Sequence, residues 1–285
     1  MSTHAGSSFG ARLAGAMAEH GPLCVGIDPH PGLLAAWGLP DDASGVRELA
    51  ARVMDAVGGR VAAVKPQSAL FERHGSAGVA VLEEVVAAGR ASGTLVIVDA
   101  KRGDIGSTMA GYADAYLRDG SPLAGDALTV SPYLGFGSLQ PAVDRALATG
   151  RGLFVLCLTS NPEGAEVQHA RTGVGPSVAA TMAAHAAALN AGATPMGSVG
   201  LVVGATVGDA AERAGVDLTA VNGPLLAPGV GAQGAGPAEL ARVFGAARRQ
   251  VLASSSRAVL AAGPDVSALR AAARAASDEV RAALT

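Results

Sequence analysis

Lysine is almost missing from this 285-residue chain. Of its 21 basic residues only two are lysine, Lys65 and Lys101, and the rest are arginine. Arginine stays protonated at any ordinary pH, whereas lysine can give up a proton. A chain that uses arginine nearly everywhere marks its two lysines as candidates for work that arginine cannot do. Aromatic residues make up only 3%, which argues against a platform for stacking nucleic-acid bases. The net charge of −3 implies no broad basic face, so no nucleic-acid partner is expected. The two cysteines, Cys24 and Cys157, lie inside apolar runs and read as buried thiols rather than a disulfide or metal pair. The six histidines are scattered, with no HExxH and no Cys/His cluster, so no metal site is expected. No stretch reaches the roughly 18 consecutive apolar residues of a membrane span. The N-terminus has no basic start followed by an apolar stretch, because Glu19, His20 and Pro22 interrupt it. The expectation is therefore a cytoplasmic protein without membrane contact.

What is present is a recurring pattern. Short apolar runs appear at 23–28, 61–66, 95–101, 127–132, 152–159, 199–206, 224–230 and 250–256. They are bounded by glycine or proline and carry β-branched residues, as strands buried on both faces do. Stretches with helical spacing lie between them, including 43–57, 77–91, 107–118, 177–190 and 237–249, and a helix-like tail covers 265–284. Strands alternating with helices predict an α/β protein with a parallel sheet. Eight such units in this length predict a (β/α)8 TIM barrel over a single domain, 1–285. An open doubly wound sheet is the alternative, but no GxGxxG follows the first strand. The Gly/Pro-rich piece 160–176 reads as a long strand-to-helix loop.

In such a barrel the C-terminal strand ends form the active face. The first strand ends in Asp28, the second in Lys65, the third in Asp99 and Lys101, the fourth in Ser131, the seventh in Pro228–Gly229, and the eighth runs into Ser256–Arg257. Both lysines thus fall at strand ends. Asp99 and Lys101 are two apart, so strand periodicity projects them to one face. Asp104 follows at the loop, giving Asp-x-Lys-x-x-Asp. Two carboxylates around an ammonium favour the protonated form, a proton donor rather than a Schiff-base nucleophile. An ion-pair network that merely closes the barrel has the same spacing. The seventh-strand loop APGVGAQGAG, followed after the eighth strand by Arg257, is suited to a phosphate.

VDAKRGDIGSTM (98–109) resembles the signature of the orotidine 5′-monophosphate decarboxylase family, including Ile105 and Thr108. LCVGIDPH (23–30), AAVKPQSALFE (62–72), APGVGAQGA (227–235) and SSSRAVL (254–260) resemble other family segments in the right order, in the style of its longer bacterial subgroup. The resemblance implies cofactor-independent conversion of orotidine 5′-monophosphate to uridine 5′-monophosphate and carbon dioxide, the last step of de novo uridine 5′-monophosphate (pyrimidine) synthesis. It implies that Asp28 and Lys65 bind the ribose hydroxyls and that Lys65 also orients Asp99. Asp99 would face the substrate carboxylate, and Lys101 would protonate C6. Asp104 and Thr108 would reach into a neighbouring subunit's site, making the active unit a homodimer. Ser131 would contact the pyrimidine. Gln233 and Arg257 would bind phosphate, beside Pro228, Gly229 and Ser256, where many family members have glycine at the last position. No cofactor motif appears. Rival readings of the same motif are a Mg²⁺-dependent sugar-phosphate lyase, a Schiff-base aldolase and a non-catalytic phosphate-binding barrel.

Overall fold

The computed structural model describes residues 7–171, 173–230 and 235–284. Its strands are β1 (Leu23–Ile27), β2 (Ala63–Pro66), β3 (Leu95–Arg102), β4 (Ala127–Val130), β5 (Gly152–Leu158), β6 (Val199–Val203), β7 (Leu225–Pro228) and β8 (Val251–Ser255). Each pairs in parallel with the next, and β8 returns to β1 with Cys24 opposite Ser254. The barrel is therefore closed, which removes the open-sheet alternative. All eight apolar runs became strands, each trimmed by one to three residues at one end or both except the third, which extends through Arg102.

Thirteen α-helical segments are described. Five precede β3: α1 (Phe9–His20), α2 (Pro31–Ala36), α3 (Ala43–Val57), α4 (Ser68–Glu72) and α5 (Gly75–Ser92), the last leading into it. Next come α6 (Gly106–Leu117), α7 (Gln140–Ala148), α8 (Ala165–Gln168) and α9 (Val178–Leu189). The last are α10 (Ala210–Ala214), α11 (Pro237–Phe244), α12 (Arg257–Leu260) and α13 (Val266–Leu284). Their starts follow capping chemistry. Asp42 accepts from the Ser44 and Gly45 N–H groups at 2.8 and 3.1 Å, and Ser177 accepts from Ala180 N–H at 3.0 Å. The 237–249 stretch is α-helical only to Phe244 and continues as a 3₁₀ turn. The long 160–176 loop carries a 3₁₀ turn and α8, and Gln168 ties it back to Thr159 through bonds of 2.9 and 2.7 Å.

The apolar core has two parts. One fills the space between barrel and helices; the other fills the barrel itself with Cys24, Ala63, Ile97, Ala127, Phe154, Val202, Leu226 and Leu252. Helix α1 plugs the N-terminal end of the barrel. Phe9 and Leu13 are fully buried there, and Phe9 meets Phe154 edge-on at 5.9 Å. Gly152 makes room for it: a Cβ at that position would lie 2.1 Å from Phe9 Cδ1. With one end filled by apolar side chains, the opposite end is left for the polar ends of the strands.

Candidate active site

At that C-terminal end the two lysines converge on one carboxylate. Lys65 Nζ donates to Asp99 Oδ2 at 2.7 Å, and Lys101 Nζ donates to Asp99 Oδ1 at 2.6 Å. Lys65 is 6% exposed and Asp99 7%, so water does little to weaken their attraction. Lys101 is more exposed and faces the open end. Burial alone raises the Asp99 carboxyl, but the two ammoniums together outweigh it and hold its pKa at about 2. Burial also disfavours the charged form of Lys65, yet the facing carboxylates of Asp99 and Asp28 prevail and keep it protonated beyond the usual lysine range. Cys24, just beneath, is pushed up to about 12, chiefly by burial, and is an inert thiol.

The pairing of Asp99 with Lys101 does not come from a regular pleat. β3 pairs Val98 with Leu128 and then Arg102 with Val130, so the chain between is bulged. Lys101 has φ 48°, in the left-handed region that costs a non-glycine residue about 1–3 kcal/mol. Its neighbours hold it there. Arg102 pairs with Glu72 on α4, and its guanidinium lies 5.5 and 5.8 Å from the Tyr112 and Tyr116 ring centres. The expected ammonium between two carboxylates is corrected in one respect: among the described residues only Asp99 pairs with Lys101. Asp104 instead accepts from the Ile105 N–H at 2.8 Å, because the loop turns it away toward the start of α6.

Asp28 stands beside Lys65 with Oδ1 buried and unpartnered among the described residues. An acceptor left in that condition is costly unless a ligand donates to it. Ser131 follows β4, and its N–H donates to the Arg102 carbonyl at 2.8 Å, tying the loops after β3 and β4 together. Thr108 is exposed in the first turn of α6. Pro228 ends β7, Gly229 turns with φ 96°, and Arg257 opens α12, exposed and without an ion pair to any described residue. Ser256 packs over β1, where a Cβ at Gly26 would lie 2.7 Å from Ser256 Cβ. Glycine in β1 thus creates the space that a serine before Arg257 needs. Gln233 lies outside the described residues. Among the described residues no group of three or more His, Cys, Asp or Glu side chains is arranged to hold a metal ion.

A cleft of about 690 Å³ lies elsewhere, at the N-terminal end beside α1, lined in part by Arg12, Arg90 and Arg151. Arg12 and Arg151 are already paired with Asp126 and Asp119, so its charges serve to lock α1 and the strand starts together. Two groups at the candidate site were not among the residues that the sequence singled out. Thr129 bridges Lys101 and Asp99, and Gln67 approaches Lys65 Nζ at 3.5 Å. Thr129 had a signal: it is the one polar residue in ALTV, two before Ser131 and so on the same strand face.

Comparison with known proteins shows the family. The sequence pattern of the orotidine 5′-phosphate decarboxylase / HUMPS family matches residues 21–272. Orotidine 5′-phosphate decarboxylase of Streptomyces coelicolor is 63% identical over 277 residues, covering 97% of this chain and 98% of its own. That of Salinispora arenicola is 63% identical over 278 residues, covering 98% and 99%. A crystal structure from Streptomyces avermitilis superposes with a TM-score of 0.93 at 63% identity, covering 98% of this chain and 96% of that one. Leishmania donovani OMP decarboxylase superposes at 0.75 with 32% identity, covering 97% and 98%. The chain belongs to the orotidine 5′-phosphate decarboxylase / HUMPS family.

Proposed function

We propose that this protein decarboxylates orotidine 5′-monophosphate to uridine 5′-monophosphate, using its own side chains to stabilise charge. The observation that carries the reading is the alternating Lys65–Asp99–Lys101 array at the open end of the barrel. When the C6–carboxylate bond breaks, its electron pair stays on C6 in the plane of the ring, where the π-system cannot take it up. A fixed ammonium beside C6 stabilises that charge as it develops and then delivers its proton there. Lys101 fills this role, and solvent restores its proton after product leaves. Asp99, ionised at all working pH values, orients the ammonium and repels the substrate carboxylate that must depart. Preorganisation is supported by the burial of Asp99 and by the bulge that aims Lys101.

The other contacts follow from chemistry at each strand end. Asp28 Oδ1, buried and without a donor, accepts from a ribose hydroxyl, and Lys65 donates to the ribose beside it. Ser131 contacts the pyrimidine. Arg257 grips the phosphate in a two-pronged contact, with Gln233, Ser256 and the backbone around Pro228 and Gly229 beside it. Phosphate binding far from C6 then lowers the barrier by holding the substrate in place.

Asp104 and Thr108 complete the site of a second copy, so the active unit is a homodimer. Exposed apolar side chains around them support this: Ile105 is 62% exposed, and Tyr133 and Leu134 on the adjoining loop are 76% and 53%. We place the activity in one barrel domain in the cytoplasm. No described helix is long and apolar enough to cross a membrane.

Loss of orotidylate absorbance on adding enzyme, unchanged by EDTA, is the expected result. Binding of the nucleotide with no absorbance loss would overturn the reading. Loss that EDTA abolishes would reassign the chemistry to a Mg²⁺-dependent lyase.

A further inference from the structure

We infer that Thr129 is a positioning residue for the proton donor, an inference that rests on the decarboxylase reading above. Three hydrogen bonds join it, Lys101 and Asp99 in a ring. The Lys101 N–H donates to Thr129 Oγ1 at 2.9 Å, the Thr129 hydroxyl donates to Asp99 Oδ1 at 2.9 Å, and Lys101 Nζ donates to the same oxygen at 2.6 Å. The direction of the ring is not free. A backbone N–H can only donate, so Thr129 Oγ1 accepts there and spends its one proton on Asp99. That arrangement requires Asp99 to be ionised, the state its two ammoniums impose.

The ring answers the cost of the bulge. At φ 48° the Lys101 N–H has left the β-ladder, and Thr129 supplies the acceptor it lost. Thr129 is buried, and its bond to Asp99 lies away from water. Its β-branched side chain has few rotamers, and its strand position opposite Phe154 is set by the barrel. One stiff hydroxyl on β4 thus fixes both the backbone that carries the ammonium and the carboxylate that aims it. Serine keeps this chemistry. Valine keeps the shape but leaves one part-buried donor and one charged acceptor short of a partner.

Steady-state kinetics and uridylate binding of Thr129→Val and Thr129→Ser test the assignment. In Thr129→Val, kcat should fall about tenfold to a hundredfold, the loss expected when a reacting group drifts by about 1 Å. KM and the Kd for uridylate should stay within about twofold, because the lost contact acts on the transition state. Thr129→Ser should recover most of kcat. Should the valine variant fold poorly, Thr129→Ala gives the same comparison against serine. Unchanged kcat in the valine and alanine variants overturns the inference. So does a serine variant as impaired as valine. An inactive wild-type protein instead overturns the decarboxylase reading, and with it the role assigned here.

Discussion

Asp99→Asn removes one negative charge from between two ammoniums while keeping the side chain's shape. Lys65 and Lys101 reach the two oxygens of that carboxylate at 2.7 and 2.6 Å, so after substitution two cations face a neutral amide. The folded-state carboxyl lies at about 2 against an ordinary 3.8, a difference worth about 2–3 kcal/mol. Removing one partner of a buried ion pair costs about 3–5 kcal/mol. The variant should therefore be about 3 kcal/mol less stable at pH 7, with Tm lower by roughly 6–12 °C for a chain of this size. The folded pKa is depressed, so this stabilisation is complete well above 3.8 and is lost as pH falls toward 2. Asparagine does not titrate, so the gap between wild type and variant should shrink by about 1 kcal/mol by pH 3. Urea unfolding of both proteins at pH 7, 5, 4 and 3 measures the gap directly. A variant as stable as wild type at pH 7, or a gap that does not change between pH 5 and 3, would refute the ion-pair account of this site.

Lys101→Ala should lower kcat by more than about a thousandfold while leaving uridylate binding measurable by calorimetry; near-normal turnover would remove Lys101 from its role. Arg257→Ala should raise KM by about tenfold to a hundredfold, the worth of one or two charge-assisted hydrogen bonds, with a smaller fall in kcat at saturation. An unchanged KM there would reject the phosphate role. Gly26→Ala should destabilise the protein by about 1–3 kcal/mol through overpacking, since the new Cβ would meet Ser256 Cβ at 2.7 Å. Ser256→Gly in the same chain should restore most of that loss in a thermal melt; no rescue would mean that the clash lies elsewhere.

The resemblance of the third-strand motif to a known family was legible before any coordinates, and so were the eight strands. Each strand is an apolar run short enough, and sharply enough punctuated by glycine or proline, that no other element competes for it. Helix α1 was not legible. Its apolar residues Phe9 and Leu13 matter because a closed barrel offers them a hole, and that hole belongs to residues spread from Cys24 to Leu252. The place of Gln233 remains a sequence expectation, since it falls outside the described residues.

Sequence alone determined which side chains stand at the strand ends, because the side-chain period and the direction of a parallel barrel are local and regular. It placed Lys65, Asp99 and Lys101 on one rim. Tertiary structure decided how they meet. Strand periodicity cannot announce a residue at φ 48°, because that conformation is held by Thr129 on the next strand. Nor could spacing reveal that Asp104 turns from Lys101 to the Ile105 N–H. The first contact joins neighbouring strands, and only the packing of β3 against β4 brings Thr129 within reach of Lys101; the second depends on how the loop after β3 turns.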